Sequence, residues 1–303
     1  MKEQTPARIT PCRPLNPTWK REVATTAPSL IWLTIFFLIP TIIIFFIAFR
    51  SRGENGGIGD EWTLETLRAI QQPNYPEVIW RTVWMSVVCT VITLAISVPV
   101  AYHMARAAAW KRDIMMLLII IPFWTNFLIR IFAWKSVLHP EGMLKSFLVW
   151  CHLISPDTIL LYRPEAVLLV MVYTELPFAI LPLYAAAEKF DFSLFEAAMD
   201  LGASRLYTFI HVFIPGIADG LLSACLMVLI PCIGSYVIPD LVGGKDSLML
   251  GNIIVRLTLV NRNLPAACAL AALMTIVMFL PLLYFLKDKK NPDGSATPAK
   301  EVV

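Results

Sequence analysis

The stretch PSLIWLTIFFLIPTIIIFFIAF, residues Pro28–Phe49, contains no charged residue and is apolar at almost every position. An α-helix rises about 1.5 Å per residue, so roughly 20 apolar residues are needed to cross a hydrocarbon core of about 30 Å. This stretch is long enough to cross. It is too long for the apolar part of a secretory signal, and no small-residue cleavage site follows it. We therefore expect it to stay in the mature protein as a transmembrane helix.

Further apolar stretches follow the first one along the chain, and together they predict an all-α integral membrane protein with about six transmembrane helices. Composition agrees, because 57% of the 303 residues are hydrophobic and 16% are charged, against roughly 45–50% and 25% in soluble domains. The predicted spans are Pro28–Phe49, Val83–Met104, Ile114–Leu138, Ala166–Ala186, Ile217–Ile238 and Ala266–Leu286.

The charges outside the spans predict the orientation. An even number of spans puts both termini on one side, and Lys and Arg are more frequent in the segments that lie on that side. Because positive charges are retained inside, we expect cytoplasmic termini. The expected organisation is a cytoplasmic tail over residues 1–26, a transmembrane domain over 27–286 with a cytoplasmic loop at about 187–215, and a cytoplasmic tail over 287–303.

Several classes of site are not expected in this chain. The basic residues form no nucleic-acid-binding stripe, and Gly243-Gly244-Lys245 lacks the first glycine and the Ser/Thr of a P-loop, so the chain cannot be its own ATPase. The histidines and cysteines lack metal or disulfide spacing, and we predict no catalytic residue, no metal site and no bound cofactor. The residues concerned are Cys12, Cys89, Cys151, Cys225, Cys232, Cys268, His103, His139, His152 and His211.

The loop between the fourth and fifth spans contains DFSLFEAAMDLGASRLYTFIHVFIP, residues 191–215. Ser193 followed three residues later by a glutamate predicts a capping box and a short helix that begins at Leu194. Gly202 can adopt the left-handed conformation that ends a helix, and a second helix should begin near Ser204. We predict a compact docking element held against the inner membrane surface. Its apolar face would be formed by Leu194, Ala197, Ala198 and Leu201.

The same loop resembles the signature of binding-protein-dependent ABC importer permeases. That signature reads Glu-Ala-Ala, three residues, Gly, nine residues and Ile-x-Leu-Pro. This chain has Glu196-Ala197-Ala198, Gly202 and Val212-Phe213-Ile214-Pro215 at the same spacing, with two apolar-for-apolar departures at Val212 and Ile214.

The resemblance implies a type I ABC importer permease fold in a bacterial inner membrane, with a coupling helix that sits in a cleft of a separate ATPase. Glu196 would contact the ATPase, Ala197 and Ala198 would keep the helix slim, Gly202 would allow the turn, and Pro215 closes the motif. The implied partners are a pair of ATPase subunits that use ATP and Mg²⁺, a second homologous permease, a periplasmic binding protein and membrane lipid.

Wider stretches resemble the spermidine/putrescine branch of this family. They are Ile121–Trp134, Gly234–Gly244 and Asn261–Pro265. The resemblance implies import of polyamines. Two alternatives remain open at the level of sequence: a permease for another small solute, and a secondary transporter that has no ATPase.

Glu175 is the main candidate for the translocation path, because it lies inside the fourth span. A charge near the bilayer centre costs at least about 2.5–3.5 kcal/mol, so it should face a partner or an aqueous path. It could meet a cationic substrate, form an ion pair with Arg130, or be protonated. Further path candidates are Trp124, Tyr173 and Tyr236, which could make cation–π contacts, and Asp240, just outside the fifth span.

Overall fold

The computed structural model describes residues 19–53, 56–64, 68 and 74–288. Most of the predicted N-terminal tail and nearly all of the C-terminal tail, 1–18 and 289–303, therefore lie outside the described residues. Residues 1–46 and 47–303 form two units, which are described separately.

The first unit is one helical rod interrupted by a π turn. Helix α1 (Trp19–Leu33) begins inside the segment predicted as a tail, the π turn occupies Thr34–Leu38, and α2 (Ile39–Ile47) continues the rod. The π turn comes just before Pro40. A proline has no N–H and its ring crowds the carbonyl four residues earlier, so the widened turn relieves that contact.

The second unit begins with a β-hairpin and is otherwise helical over the described residues. In the hairpin, Arg50 pairs with Trp62 and Arg52 with Ile58, antiparallel. The strands are β1 (Arg50–Arg52) and β2 (Ile58–Trp62). The helices are α3 (Asn74–Arg106), α4 (Ala109–Ile120), α5 (Phe127–Val137), α6 (Met143–Trp150), α7 (Pro164–Glu188), α8 (Phe192–Asp200), α9 (Arg205–Thr208), α10 (Ile214–Gly216), α11 (Ala218–Gly234), α12 (Val237–Val242), α13 (Leu250–Leu259) and α14 (Leu264–Asp288), with 3₁₀ turns at Ile121–Trp124 and Lys245–Ser247 and a π turn at Phe209–Phe213.

Helices α3, α7 and α11 pack against one another and form the centre of the second unit. The buried stripe of α3 is polar and small as well as apolar, which suits close helix packing in a membrane. The hydroxyls of Ser86 and Thr90 are satisfied within the helix, by the carbonyl oxygens of Thr82 and Ser86. Helices α13 and α14 form a smaller cluster around Leu250, Leu257, Ala267 and Leu270.

The predicted spans are confirmed as helical segments, but two of them are bent. Helices that have no sharp bend and are long and apolar enough to cross a membrane are found at Thr25–Ile47, Tyr75–Arg106 and Pro164–Glu188. Two further pairs reach that length only if each bent pair is one span: Ala109–Trp124 with Phe127–Val137, bent by 96°, and Arg205–Gly216 with Ala218–Gly234, bent by 75°. The last predicted span, Ala266–Leu286, falls within α14 (Leu264–Asp288).

The bend in the third predicted span has a local cause. The 3₁₀ turn that begins at Ile121 ends at Trp124, and Thr125 is extended. The side chain of Asn126 then caps α5 by accepting a hydrogen bond from the backbone N–H of Leu128 at 2.8 Å. A new helix therefore begins where the sequence alone predicted a continuous one.

Candidate functional sites

The predicted loop folds as a helix–turn–helix, called here the docking segment (residues 191–215). Gly202 ends α8 at φ +90°, and Ala203 N–H donates to the carbonyl of Ala198 at 3.1 Å. This is the six-to-one hydrogen bond of a Schellman ending. Ser204 then caps α9 by accepting from the N–H of Tyr207 at 3.3 Å. The predicted positions of the turn and of the second helix are confirmed.

The predicted start of the first helix is wrong by two residues. Asp191, not Ser193, is the capping residue, and its Oδ1 accepts a hydrogen bond from the Ser193 N–H at 2.9 Å. A carboxylate is a stronger acceptor for an orphan N–H than a hydroxyl. The side chain and the backbone N–H of Ser193 both hydrogen-bond to the Asp191 carboxylate. They hold the pKa of Asp191 below its ordinary value.

The structure leaves most of the predicted apolar face of α8 exposed. Leu194 is 55% exposed and Leu201 is 91% exposed. The buried side of α8 is formed by Phe195, which is 2% exposed, with Phe192 and Met199 half-buried. Aromatic rings bury more area than the leucine–alanine face can, so they take the inner side. The leucines are left for contact with something outside this chain.

An aromatic cluster fixes the docking segment to the end of α3. The ring of Tyr102 lies 5.0 Å from that of Phe213, 5.2 Å from Phe209 and 5.6 Å from Phe195, between ring centroids. Arg106 Nη1 donates to the Tyr102 hydroxyl at 2.8 Å. Contacts at these separations stabilise a ring pair by about 0.5–1.5 kcal/mol beyond area burial. Movement of the docking segment therefore bears directly on α3.

Sequence reasoning did not single out this cluster. Phe209 and Phe213 lie one turn apart, so their spacing in the sequence is enough to predict that they share one face of the helix. Tyr102 belongs to another helix, and its approach depends on tertiary packing. Its signal was weak: an aromatic residue one turn before the basic residue that ends a span.

Glu175 lies near the middle of α7 and is 8% exposed. Its Oε2 is buried and has no hydrogen-bond partner among the described residues. Arg130, also described, is not within ion-pair distance of it, so the alternative of a Glu175–Arg130 pair is not what the structure shows. In the same three-helix bundle, the Sγ of Cys232 on α11 is 3.5 Å from that of Cys89 on α3.

Arg130 is held by aromatic rings. Its guanidinium carbon is 5.1 Å from the ring centroid of Phe123 and 5.9 Å from that of Phe127, while its Nε is buried without a partner among the described residues. Tyr173 packs on Trp134 at 5.3 Å. Trp124 is 84% exposed, so it is not part of the same group.

Tyr236 and Asp240 lie just after α11, beyond the end of that helix that is farther along the chain from the docking segment. The carbonyl of Tyr236 accepts a hydrogen bond from Asn252 Nδ2 at 2.8 Å. Asp240, Asn252 and Arg256 line a cavity of about 330 Å³. The structure thus groups the predicted residues Tyr236 and Asp240 with Asn252 and Arg256, which the sequence did not indicate.

No group of three or more potential ligands from His, Cys, Asp and Glu is found within the part of the chain that is described. The described cysteines are free. Cys12 lies outside the described residues.

Residues 97–290 match the family described as the binding-protein-dependent transport system inner membrane component. This chain belongs to that family. It is a transport subunit, the inner-membrane permease of an ABC importer, and not an enzyme.

Relatives of this permease are similar over about three quarters of their length or more. It is 37% identical, over 86% of its own chain and 94% of the relative, to the spermidine/putrescine transport system permease protein PotB of Escherichia coli K12. It is 35% identical, over 89% and 95%, to PotB of Haemophilus influenzae Rd. It is 29% identical, over 75% and 76%, to the inner membrane ABC transporter permease protein YdcU of Escherichia coli K12.

Solved structures share the fold of the permease. A bacterial ABC transporter that imports the acidic polysaccharide alginate superposes with a TM-score of 0.73 at 17% identity, covering 91% of this permease and 96% of that chain. The alginate transporter in complex with a pentasaccharide-bound periplasmic protein superposes with a TM-score of 0.66, covering 88% and 92%. The predicted type I permease fold is confirmed.

Proposed function

We propose that this permease conducts polyamines across the inner membrane, and that a separate ATPase drives it through the docking segment. The observation that carries the proposal is the two-sided packing of α8. One side is bound into the aromatic cluster on α3, and the other side leaves Leu194 and Leu201 exposed. An exposed apolar face on a rigid, capped helix is suited to a partner's groove.

The residues of the motif have positions that suit this role. Glu196 and Ala197 are exposed and Ala198 is half-buried, so a partner can approach the small side chains closely. Gly202 makes the turn between the two helices. Pro215 is the last residue of the docking segment; it follows the π turn Phe209–Phe213 and comes just before the bend that precedes α11.

The expected assembly follows from the family. Two ATPase subunits with ATP and Mg²⁺, a second homologous permease and a periplasmic binding protein would complete the importer. The docking segment must then face the cytoplasm, together with both termini. The excess of Lys and Arg in the segments on that side supports this orientation.

Two substitutions in the docking segment test the proposed ATPase contact, one that reverses a charge and one that disrupts the turn. We expect Glu196→Lys and Gly202→Val to abolish stimulation of ATP hydrolysis by the reconstituted importer while membrane insertion is unchanged. Glu141→Lys is the matched control, since Glu141 is an exposed acid at the other end of the molecule. Normal stimulation in both docking-segment variants would refute the proposed contact.

The proposed substrate rests on the polyamine relatives and on Glu175. A buried carboxylate with an unpartnered oxygen in the middle of a helix bundle favours a cation, and polyamines carry ammonium groups at physiological pH. A charge-assisted hydrogen bond contributes about 1.5–3 kcal/mol. Loss of one such bond would weaken transport about ten- to a hundredfold.

Uptake of labelled putrescine and spermidine, in cells that lack their own polyamine systems, tests this proposal. We expect uptake with the wild-type importer and a rise in KM or loss of rate with Glu175→Gln. Glu165→Gln, in the exposed first turn of the same helix, should leave uptake unchanged. Absence of uptake by the wild type would overturn the substrate, and unchanged kinetics in Glu175→Gln would remove Glu175 from the path.

A further inference from the structure

A cavity of about 260 Å³ lies between the end of α3 and the docking segment. Tyr102, His103 and Arg106 line it from α3, Phe195 and Met199 from α8, and Arg205 from the start of α9. One water molecule takes up about 30 Å³ in the liquid, so the cavity has room for a group much larger than water.

The polar lining of this cavity is basic. Arg106, Arg205 and His103 carry N–H donors, and no Asp or Glu is among the lining residues. Neither arginine forms an ion pair within the described part of the chain, unlike Arg81 and Arg112. No described carboxylate therefore neutralises the two guanidinium charges.

Arg106 is held in place by groups that leave its charge intact. Its guanidinium carbon is 5.5 Å from the ring centroid of Phe192 and 5.8 Å from that of Phe195, and Nη1 bonds the Tyr102 hydroxyl. Rings and a hydroxyl orient a guanidinium without supplying negative charge. A planar guanidinium group that still has N–H donors available is suited to binding phosphate oxygens.

The location of the cavity indicates the source of the phosphate. Arg106 is the last residue of a membrane-spanning helix, which places it at the level of lipid headgroups. Close by in the chain, Trp110 is 63% exposed and has the Lys111 ammonium 5.5 Å from its ring. Exposed tryptophan beside lysine is typical of a membrane interface.

We propose that this cavity binds the phosphate of an anionic phospholipid headgroup. Basic pockets at the ends of membrane helices bind such headgroups. Because the lining combines α3 with α8 and α9, the bound headgroup would connect the membrane span to the docking segment. The inference does not depend on the substrate or on the ATPase.

Lipid titration of the purified full-length chain tests the proposal. Native mass spectrometry would compare phosphatidylglycerol with phosphatidylcholine of the same acyl chains. We expect preferential binding of phosphatidylglycerol, and an apparent affinity about fivefold lower in Arg205→Gln, since a basic residue near an anionic surface contributes on the order of 1 kcal/mol.

Matched variants separate binding from folding. Arg106→Lys keeps the charge and should retain most of the preference, whereas Arg106→Gln should lose it. Lys189→Gln removes an exposed charge from the same end of the molecule outside the cavity and should change nothing. If Lys189→Gln lowers the preference as much as Arg205→Gln, the effect is general surface charge and the proposal is overturned.

Two further arms identify the occupant. Inorganic phosphate added to the titration should not displace the lipid, and displacement at equal concentration would assign the cavity to a soluble anion instead. Addition of the ATPase subunits should also leave the lipid bound. Its release would assign the cavity to the contact between subunits and overturn the lipid.

Discussion

At the scale of single residues, Glu175 and Asp191 show what can be deduced from a sequence. The acid inside a span was predictable, because one charge in an apolar run stands out. Whether it meets Arg130 was not, since that depends on the rotation and tilt of two helices. Asp191 and Ser193 are two candidate caps two positions apart, and the structure places the cap at Asp191, whose carboxylate accepts the N–H of Ser193.

Substitutions at the two competing caps should have unequal effects. We expect Asp191→Ala to increase amide exchange of Ser193 and Leu194 markedly and Ser193→Ala to change it little, because the Asp191 carboxylate is the group that accepts the Ser193 N–H at the helix start. Hydrogen exchange with mass spectrometry measures this. Asp191→Asn keeps an acceptor and should preserve most of the protection, and equal exchange in all three variants would contradict the assignment.

Acid should weaken the same cap. The pKa of Asp191 is lowered in the folded protein, so the carboxylate stabilises the helix start fully above the unfolded-state pKa, and this contribution is lost as pH falls through the folded pKa. We therefore expect protease cleavage within α8 to rise only below about pH 4, the ordinary range of aspartate. In Asp191→Asn, cleavage in this region should not depend on pH over that interval.

At the scale of helices and turns, the ends of elements were easier to predict than their faces. Gly202 and Ser204 are located as their local chemistry indicated, since a left-handed residue and a cap depend on near neighbours. The face of α8 depends on which partners are available. The sequence pattern favoured the leucines, but the rings of Phe195 and Tyr102 make the larger contact.

The turn at Gly202 should tolerate asparagine but not valine. A side chain here meets no other atom within 4 Å, so the cost comes from the positive φ alone. Asparagine adopts this conformation readily, whereas for most residues it costs roughly 1–2 kcal/mol and more for a β-branched one. ATPase stimulation should therefore survive in Gly202→Asn and fail in Gly202→Val. Failure of both would mean that the glycine itself is contacted by the partner.

The packing of α11 on α7 should be sensitive at Gly220. A Cβ at this position would lie 2.3 Å from the Cβ of Ala186, while one at Gly234 would meet only methionine methyl groups at 3.5 Å. We expect Gly220→Ala to lower stability by about 1–3 kcal/mol, the usual effect of overpacking. Gly234→Ala should be neutral or stabilising. Thermal unfolding in detergent compares the two, and equal midpoints would contradict this packing.

At the scale of the whole molecule, composition and hydropathy were enough to predict that the chain lies in a membrane and roughly how many helical segments it has. They did not predict which of those segments are continuous. The 96° bend occurs at Thr125-Asn126, where a cap outcompetes an apolar run that reads as one helix. Asn126 was a visible signal, yet the hydropathy of the flanking residues outweighed it. Burial could not be deduced either, because apolar residues line both the lipid-facing and the protein-facing sides of a membrane helix.

Cysteine labelling should place the two ends of the molecule on opposite sides of the membrane. Leu201 is 91% exposed in the docking segment, and Met143 is 87% exposed at the start of α6. In a chain without native cysteines, Met143→Cys should react with a membrane-impermeant maleimide in intact spheroplasts. Leu201→Cys should react only after the membrane is opened. Reaction of Leu201→Cys from outside would invert the proposed orientation.

The ring cluster around Tyr102 has a mechanical consequence. The ring of Tyr102 meets those of Phe209 and Phe213 edge to face, an arrangement that aromatic pairs prefer and that opposes their separation. Among the described residues at this junction, the bond between the Tyr102 hydroxyl and Arg106 is within α3 and does not cross it. A displacement of the docking segment by a partner would therefore reach the membrane span through side-chain rings, and shortening any one of these rings should weaken that mechanical link without removing a hydrogen bond between the two elements.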